Sequence, residues 1–242
     1  MIGLGTIVNV IAVLAGGFVG LFLKKGISDR LQDMIMKVLG LSTMFIGASG
    51  ALAGLLSVSD GVITTKGTML MIFSLVIGSI LGELIRIEDR LETLGEKLKR
   101  SVKAGENGHF VEAFVTNTLV ICVGAMAIMG SLQDGLSGDP TTLFAKSILD
   151  GVIAIVFTST LGVGAMFAVI PLAIYQGGIT LLSKFIEPYL IGNMVPDMSY
   201  IGSILIFAIG INLAFGKRFK VGNMLPSILI PIIYNLILQI KA

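Results

Sequence analysis

Residues 141–183 read TTLFAKSILDGVIAIVFTSTLGVGAMFAVIPLAIYQGGITLLS, and the division of this stretch decides the fold. Its 43 residues hold two charges, Lys146 and Asp150. As a single helix rising ~1.5 Å per residue it would extend ~65 Å, about twice the ~30 Å hydrocarbon core of a bilayer. Two helices, 142–160 and 162–183, each fit one crossing. Their junction falls in Thr158-Ser159-Thr160-Leu161-Gly162-Val163-Gly164, rich in small and hydroxylated residues. A broken helix is therefore expected around 158–164, and a second break around 171–178, where Pro171 precedes Tyr175-Gln176-Gly177-Gly178. Unwound backbone at membrane depth must be satisfied by protein or by a water cavity, where its carbonyls can face a cation.

The rest of the chain follows the same logic. Of 242 residues 55 % are hydrophobic and 13 % charged, and mean hydropathy is +0.96. Nearly charge-free runs at 3–23, 38–57, 67–85, 112–132, 199–216 and 224–240 bring the expected crossings to eight. The expected fold is all-α: a polytopic integral membrane protein forming a single transmembrane domain over 1–242. No polar stretch is long enough to be a soluble domain, and a net charge of +2 gives no basic footprint for nucleic acid. One cysteine, Cys122, excludes a disulfide framework within the chain and reads as a small apolar residue. The first run lacks a basic leader and a cleavage site, so it is expected to be a retained span.

Loop charge sets the expected orientation. With the N-terminus outside, Lys24, Lys25, Arg30 and Lys37, then Arg86, Arg90, Lys97, Lys99, Arg100 and Lys103, then Lys217, Arg218 and Lys220 share the cytoplasmic side. Lys66, Lys146, Lys184 and Lys241 fall opposite, and both termini are expected to be non-cytoplasmic. Around 83–104, Leu84, Ile87, Leu91, Leu94, Leu98 and Val102 recur at three- and four-residue spacing, which predicts a cytoplasmic amphipathic helix. Gly16-x-x-x-Gly20 with Lys24 and Asp29-Arg30-Leu31 is echoed by Gly78-x-x-x-Gly82 with Arg86 and Asp89-Arg90-Leu91. Asp60-Gly61 with Thr68 is echoed by Asp134-Gly135 with Thr142. Repeated helical hairpins are expected from these echoes. The small-xxx-small pairs Gly16/Gly20, Gly50/Gly54 and Gly78/Gly82 read as helix-packing faces, within the chain or in a homodimer.

Function is sought where the sequence carries an unfavourable group in hydrocarbon. Asp150 is that group, ~12 Å below the outer boundary by helical rise. Two readings stand. In one it faces a hydrated cavity and holds a cation or proton. In the other Lys146, one turn earlier, snorkels outward and neutralises it. Depth arithmetic puts Asn9, Gln176 and Asn235 at a similar level, and a second layer nearer the cytoplasm takes in Thr116, Asn117 and Asn212. The candidate ion- or substrate-binding residues are Asp150, Asn9, Ser159, Thr160, Gln176 and Asn223. No phosphate loop, HExxH or cysteine pair occurs, and His109, in the charged loop, is the only histidine. No catalytic residue, metal site or cofactor is therefore expected.

Three motifs carry a family resemblance. They are Gly5-Thr6-Ile7-Val8-Asn9; Phe157-Thr158-Ser159-Thr160-Leu161-Gly162-Val163-Gly164 with Pro171 and Tyr175-Gln176-Gly177; and Gly216-Lys217-Arg218-Phe219-Lys220-Val221-Gly222-Asn223-Met224-Leu225-Pro226. With them the chain resembles the YqgA/YdfK-like bacterial membrane proteins, domain-of-unknown-function family 554, over essentially its whole length. The resemblance implies a bacterial inner-membrane protein and supplies no activity and no catalytic residue to transfer. The leading expectation is a non-enzymatic secondary transporter or channel for a small polar or cationic solute. The alternative is a non-transporting scaffold or sensor, oligomeric, that acts through its cytoplasmic helix. Lys217-Arg218-Lys220 reads as a topology signal in contact with anionic lipid.

Overall fold

The computed structural model describes residues 1–24, 28–59, 61–102, 109–123, 125–187 and 194–241. Lys25, Asp60, Lys103 and the 103–104 end of the amphipathic stretch lie outside the described residues. In chain order the elements are α1 (Leu4–Lys24), α2 (Asp29–Leu55), β1 (Leu56–Ser59), β2 (Val62–Thr65), α3 (Thr68–Ile85), α4 (Ile87–Ser101), α5 (Phe110–Cys122), α6 (Ala125–Ser137) and α7 (Thr141–Thr160). A 3₁₀ segment (Val163–Ala168) then leads into α8 (Val169–Ile186). After α9 (Met194–Phe215) the chain makes a four-residue α10 (Val221–Met224), a second 3₁₀ segment (Leu225–Leu229) and α11 (Ile230–Lys241).

The chain is a polytopic helical membrane protein. Among the described residues six helical stretches are long and apolar enough to cross a bilayer, or seven if the bent pair α5–α6 is one span. The count of eight depends on Val221–Asn235, a shorter apolar stretch. Four expectations are modified. The all-α reading misses a small antiparallel hairpin that pairs Leu56 with Thr65 and Ser59 with Val62. The span expected at 112–132 is two helices bent by 60°. The span expected at 224–240 is a 3₁₀ turn followed by α11. The break expected around 171–178 does not occur, because α8 runs unbroken from Val169 to Ile186. Pro171 sits in its first turn, where a missing N–H costs nothing, so it starts the helix instead of kinking it. The break around 158–164 is present: Gly162 takes φ +102°, a conformation open to glycine and strained for other residues.

The chain divides into two compact units. In the first, Met1–Met36, Asp89–Cys122 and Met126–Ile186 pack together. Here α1 and α7 run parallel, since Gly5 lies against Leu143, Gly16 against the Gly151 carbonyl and Gly20 against the Ile155 carbonyl. A Cβ added at Gly16 would stand 2.2 Å from the Gly151 oxygen, so glycine is what lets these backbones touch. Val13, Ile121, Ala154, Ala168 and Leu172 form a buried core joining α1, α5, α7 and the start of α8.

The second unit comprises Lys37–Glu88, Val123–Ala125 and Glu187–Ala242. There α2 and α9 are antiparallel, with Gly40 against Ala214, Gly47 against Phe207 and Gly54 against Tyr200. Gly78 and Gly82 of α3 seat Ser227 and Asn223. All three small-xxx-small pairs thus serve packing inside the chain. Each unit also contains a pattern that the sequence reading passed over. Val163-Gly164-x-Met166 and Val221-Gly222-x-Met224 both lead through 3₁₀ turns to a proline helix that carries Tyr175-Gln176 or Tyr234-Asn235.

Candidate functional site

The close contact of α1 with α7 in the first unit brings two polar side chains together inside an apolar bundle. Asn9 Nδ2 donates to Asp150 Oδ2 at 2.8 Å and to Gln176 Oε1 of α8 at 3.2 Å. Lys146 Nζ lies 2.7 Å from Asp150 Oδ1, 2.6 Å from Oδ2 and 2.8 Å from the Ile121 carbonyl. Those three contacts match the three protons of an ammonium group. The Lys146 and Asp150 side chains are 8 % and 3 % exposed, and Asn9 and Gln176 are fully buried.

The structure contains the ion pair of the second reading and corrects its direction. Lys146 does not snorkel to the boundary; it turns inward and is held there. What holds it is the end of α5. The last carbonyls of a helix lack an intrahelical partner, and the bend after Cys122 leaves Ile121 among them. A buried ion pair usually recovers its desolvation cost only when its remaining lone pairs and protons are also bonded. Here Asn9 and the Ile121 carbonyl supply those bonds.

Satisfaction is incomplete elsewhere in the cluster. Among the described residues Asn9 Oδ1 and Gln176 Nε2 have no hydrogen-bond partner, nor do the hydroxyls of Thr6, one turn before Asn9, and Thr180, one turn after Gln176. Each such buried group costs about 1–3 kcal/mol, and this cluster holds four of the ten found among the described residues.

The other sequence candidates lie apart from this cluster. Ser159 Oγ and Thr160 Oγ1 donate to the Val156 carbonyl of their own helix at 2.8 Å, and Ser159 is ~13 Å along α7 from Asp150. Asn117 Nδ2 donates to the Ala165 carbonyl at 2.8 Å and steadies the 3₁₀ segment. Asn223 belongs to the second unit. It accepts from the Glu88 N–H at 2.7 Å and donates to Glu83 Oε2 at 2.6 Å. Asn235, also in that unit, donates to Asp197 at 3.2 Å. Asn212 closes the 216–219 turn by accepting from Arg218 N and Phe219 N and donating to the Phe219 carbonyl.

Three acidic residues were not among the site candidates read from the sequence. Asp134, fully buried, accepts from Gly3 N at 3.2 Å and Gly5 N at 3.0 Å, and so caps the N-terminus of α1. Glu88, 4 % exposed, accepts from Gly222 N at 2.9 Å and pairs with Lys217 at 2.6 Å. Glu83 pairs with Lys220 at 2.8 Å. The Gly216–Asn223 motif is thus a loop pinned by two glutamates, with Lys217 and Lys220 committed to them. Only the recurrence of Lys, Asn and Gly in that motif hinted at it. In the loop before α7, hydrogen bonds from the Thr141 hydroxyl, the Thr141 N–H and Gln133 hold the Asp139 carboxyl below its ordinary range.

Comparison with known proteins agrees with the membrane reading. A family model described as "Protein of unknown function (DUF554)" matches residues 4–236. The chain is 33 % identical over 227 residues to "Uncharacterized membrane protein YdfK" of Bacillus subtilis (strain 168), covering 94 % of this chain and 93 % of that one. It is 29 % identical over 231 residues to "Uncharacterized protein YqgA" of Escherichia coli (strain K12), covering 94 % of each. No solved structure matches.

Proposed function

The chain belongs to the DUF554 family of proteins of unknown function, and from that premise we propose that it is a non-enzymatic carrier or channel for a small polar or cationic solute. It acts in the bacterial inner membrane with both termini outside the cytoplasm, and the Lys146–Asp150 pair is its charged element. One observation carries the reading: a fully bonded ammonium–carboxylate pair lies beside buried amides whose remaining polar atoms have no partner. A solute site beside an ion pair would use such atoms when occupied.

The test is access from water. Asn9→Cys and Gln176→Cys, introduced singly into a Cys122→Ser background, are exposed to a small membrane-impermeant thiol reagent in oriented vesicles. Asp139→Cys serves as the reactive loop control. Labelling at both buried positions is the expected result. A reactive control with neither buried position labelled means a dry interior and removes the transport reading. The scaffold alternative would then take its place. Its basis is that Asp150 is buried against Lys146, as that alternative expects, and that the amphipathic α4 packs Gly95 against Val111 and Phe114 while Leu94 stays exposed.

A further inference from the structure

We propose that the solute of this cluster is a small zwitterion, a molecule with one ammonium and one carboxylate group on a short scaffold. The inference rests on the transport reading and narrows it. Charge balance gives the first argument. Lys146 and Asp150 neutralise each other inside an apolar bundle. A bare monovalent cation or anion entering there would leave a net charge in a medium that solvates it poorly. A zwitterion adds none. Its ammonium replaces Lys146 at the carboxylate, its carboxylate replaces Asp150 at the ammonium, and one ion pair becomes two.

The unpartnered atoms give the second, independent argument. Asn9 Oδ1 is an acceptor on the side chain whose amide nitrogen already donates to Asp150. Gln176 Nε2 is a donor on the side chain whose carbonyl accepts from Asn9. Both residues are fully buried. Asp150 and Asn9 Oδ1 together form an acceptor pole for an ammonium group. Lys146 and Gln176 Nε2 form a donor pole for a carboxylate. The hydroxyls of Thr6 and Thr180, one turn along α1 and α8 from these amides, likewise have no partner among the described residues. While Asp150 exchanges partners, the Ile121 carbonyl keeps the Lys146 ammonium in place. A metal ion would need more than the single carboxylate found here, and among the described residues no group of three or more metal-ligating side chains occurs.

The experiment measures binding of radiolabelled glycine to the full chain in detergent, with methylammonium and acetate as competitors that each carry half of its charge. The expected result is saturable glycine binding at up to millimolar concentration that neither competitor, nor their equimolar mixture, displaces as unlabelled glycine does. Gln176→Leu, which removes the donor and leaves the ion pair, should weaken binding about tenfold while the protein elutes as the wild type does. Absence of glycine binding to the wild type overturns the inference, and so does displacement by methylammonium or acetate alone. If it is overturned while the introduced cysteines at 9 and 176 still label, a hydrated pathway remains and transport stands with a different solute. If glycine binds but is not taken up by proteoliposomes, the site stands and the transport reading fails.

Discussion

The first unit buries its Lys146–Asp150 pair, and the second displays its Lys220–Glu83 pair. Lys146 and Asp150 are under one-tenth exposed and have amide, carbonyl and carboxylate partners on every side. Lys220 and Glu83 are each more than half exposed, and Lys217 reaches from the surface to Glu88. Exposed pairs are screened by water and contribute little, whereas a buried pair broken on one side leaves a charge with no solvent. The two clusters therefore serve different ends. The outer one pins a loop against α3 and the start of α4. The inner one maintains charge where charge is costly, and that is where a function has to be sought.

This contrast is open to direct challenge, first at its strongest point. Lys146→Ala strands the Asp150 carboxylate and should destabilise the folded protein in detergent by about 3–5 kcal/mol, read from thermal unfolding. Combining Lys146→Met with Asp150→Asn removes both charges and should recover most of that loss. A single variant as stable as the wild type would show that the pair is hydrated and that the inner and outer clusters do not differ in kind. Gly16→Val comes next. Its Cβ would collide with the Gly151 carbonyl, part α1 from α7 and draw Asn9 from Asp150, at a cost of about 1–3 kcal/mol in the same assay.

Within the outer cluster the two glutamates should separate. Glu88→Ala leaves the Gly222 N–H without its acceptor, and a loss of about 1–3 kcal/mol is expected. Glu83→Ala removes an exposed carboxylate that holds Asn223 and should cost less, and equal losses at the two sites would contradict the assignment of Glu88 as the main pin. The smallest effect concerns pH. Because the Asp139 carboxyl lies below its unfolded value, its contribution is fully present above the unfolded pKa and is lost as pH falls through the folded one. Stability should therefore decline in acid, and Asp139→Ala should flatten that decline in a pH-dependent unfolding series.

Particular residues show how far the sequence could be read. The division of 141–183 followed from length alone, and the break at 158–164 lies where Gly162 and Gly164 predict it. Pro171 misled, because a proline in a first turn and one in mid-helix are identical in sequence and differ only in where the helix begins. The bend after Cys122 was hidden in an apolar run. Asp150, Asn9, Gln176 and Asn235 were placed at one depth by helical rise, and the structure joins the first three through Asn9 while Asn235 bonds Asp197 in the second unit. Ser159, Thr160 and Asn223 shared their polarity but not their position. A hydroxyl two turns away along the helix bonds its own backbone, and an asparagine in another unit serves another network.

Hydropathy and span length, by themselves, determined that this chain is a polytopic helical membrane protein, because lipid forces every spanning segment to satisfy its backbone internally and to present an apolar surface. They also exposed the one carboxylate that hydrocarbon should not contain. Only the tertiary structure decided how Lys146 neutralises it. Whether Lys146 turns outward to the boundary or inward to Asp150 depends on a free carbonyl at the end of α5 and on the glycine contacts that press α1 against α7. Both are long-range facts of packing.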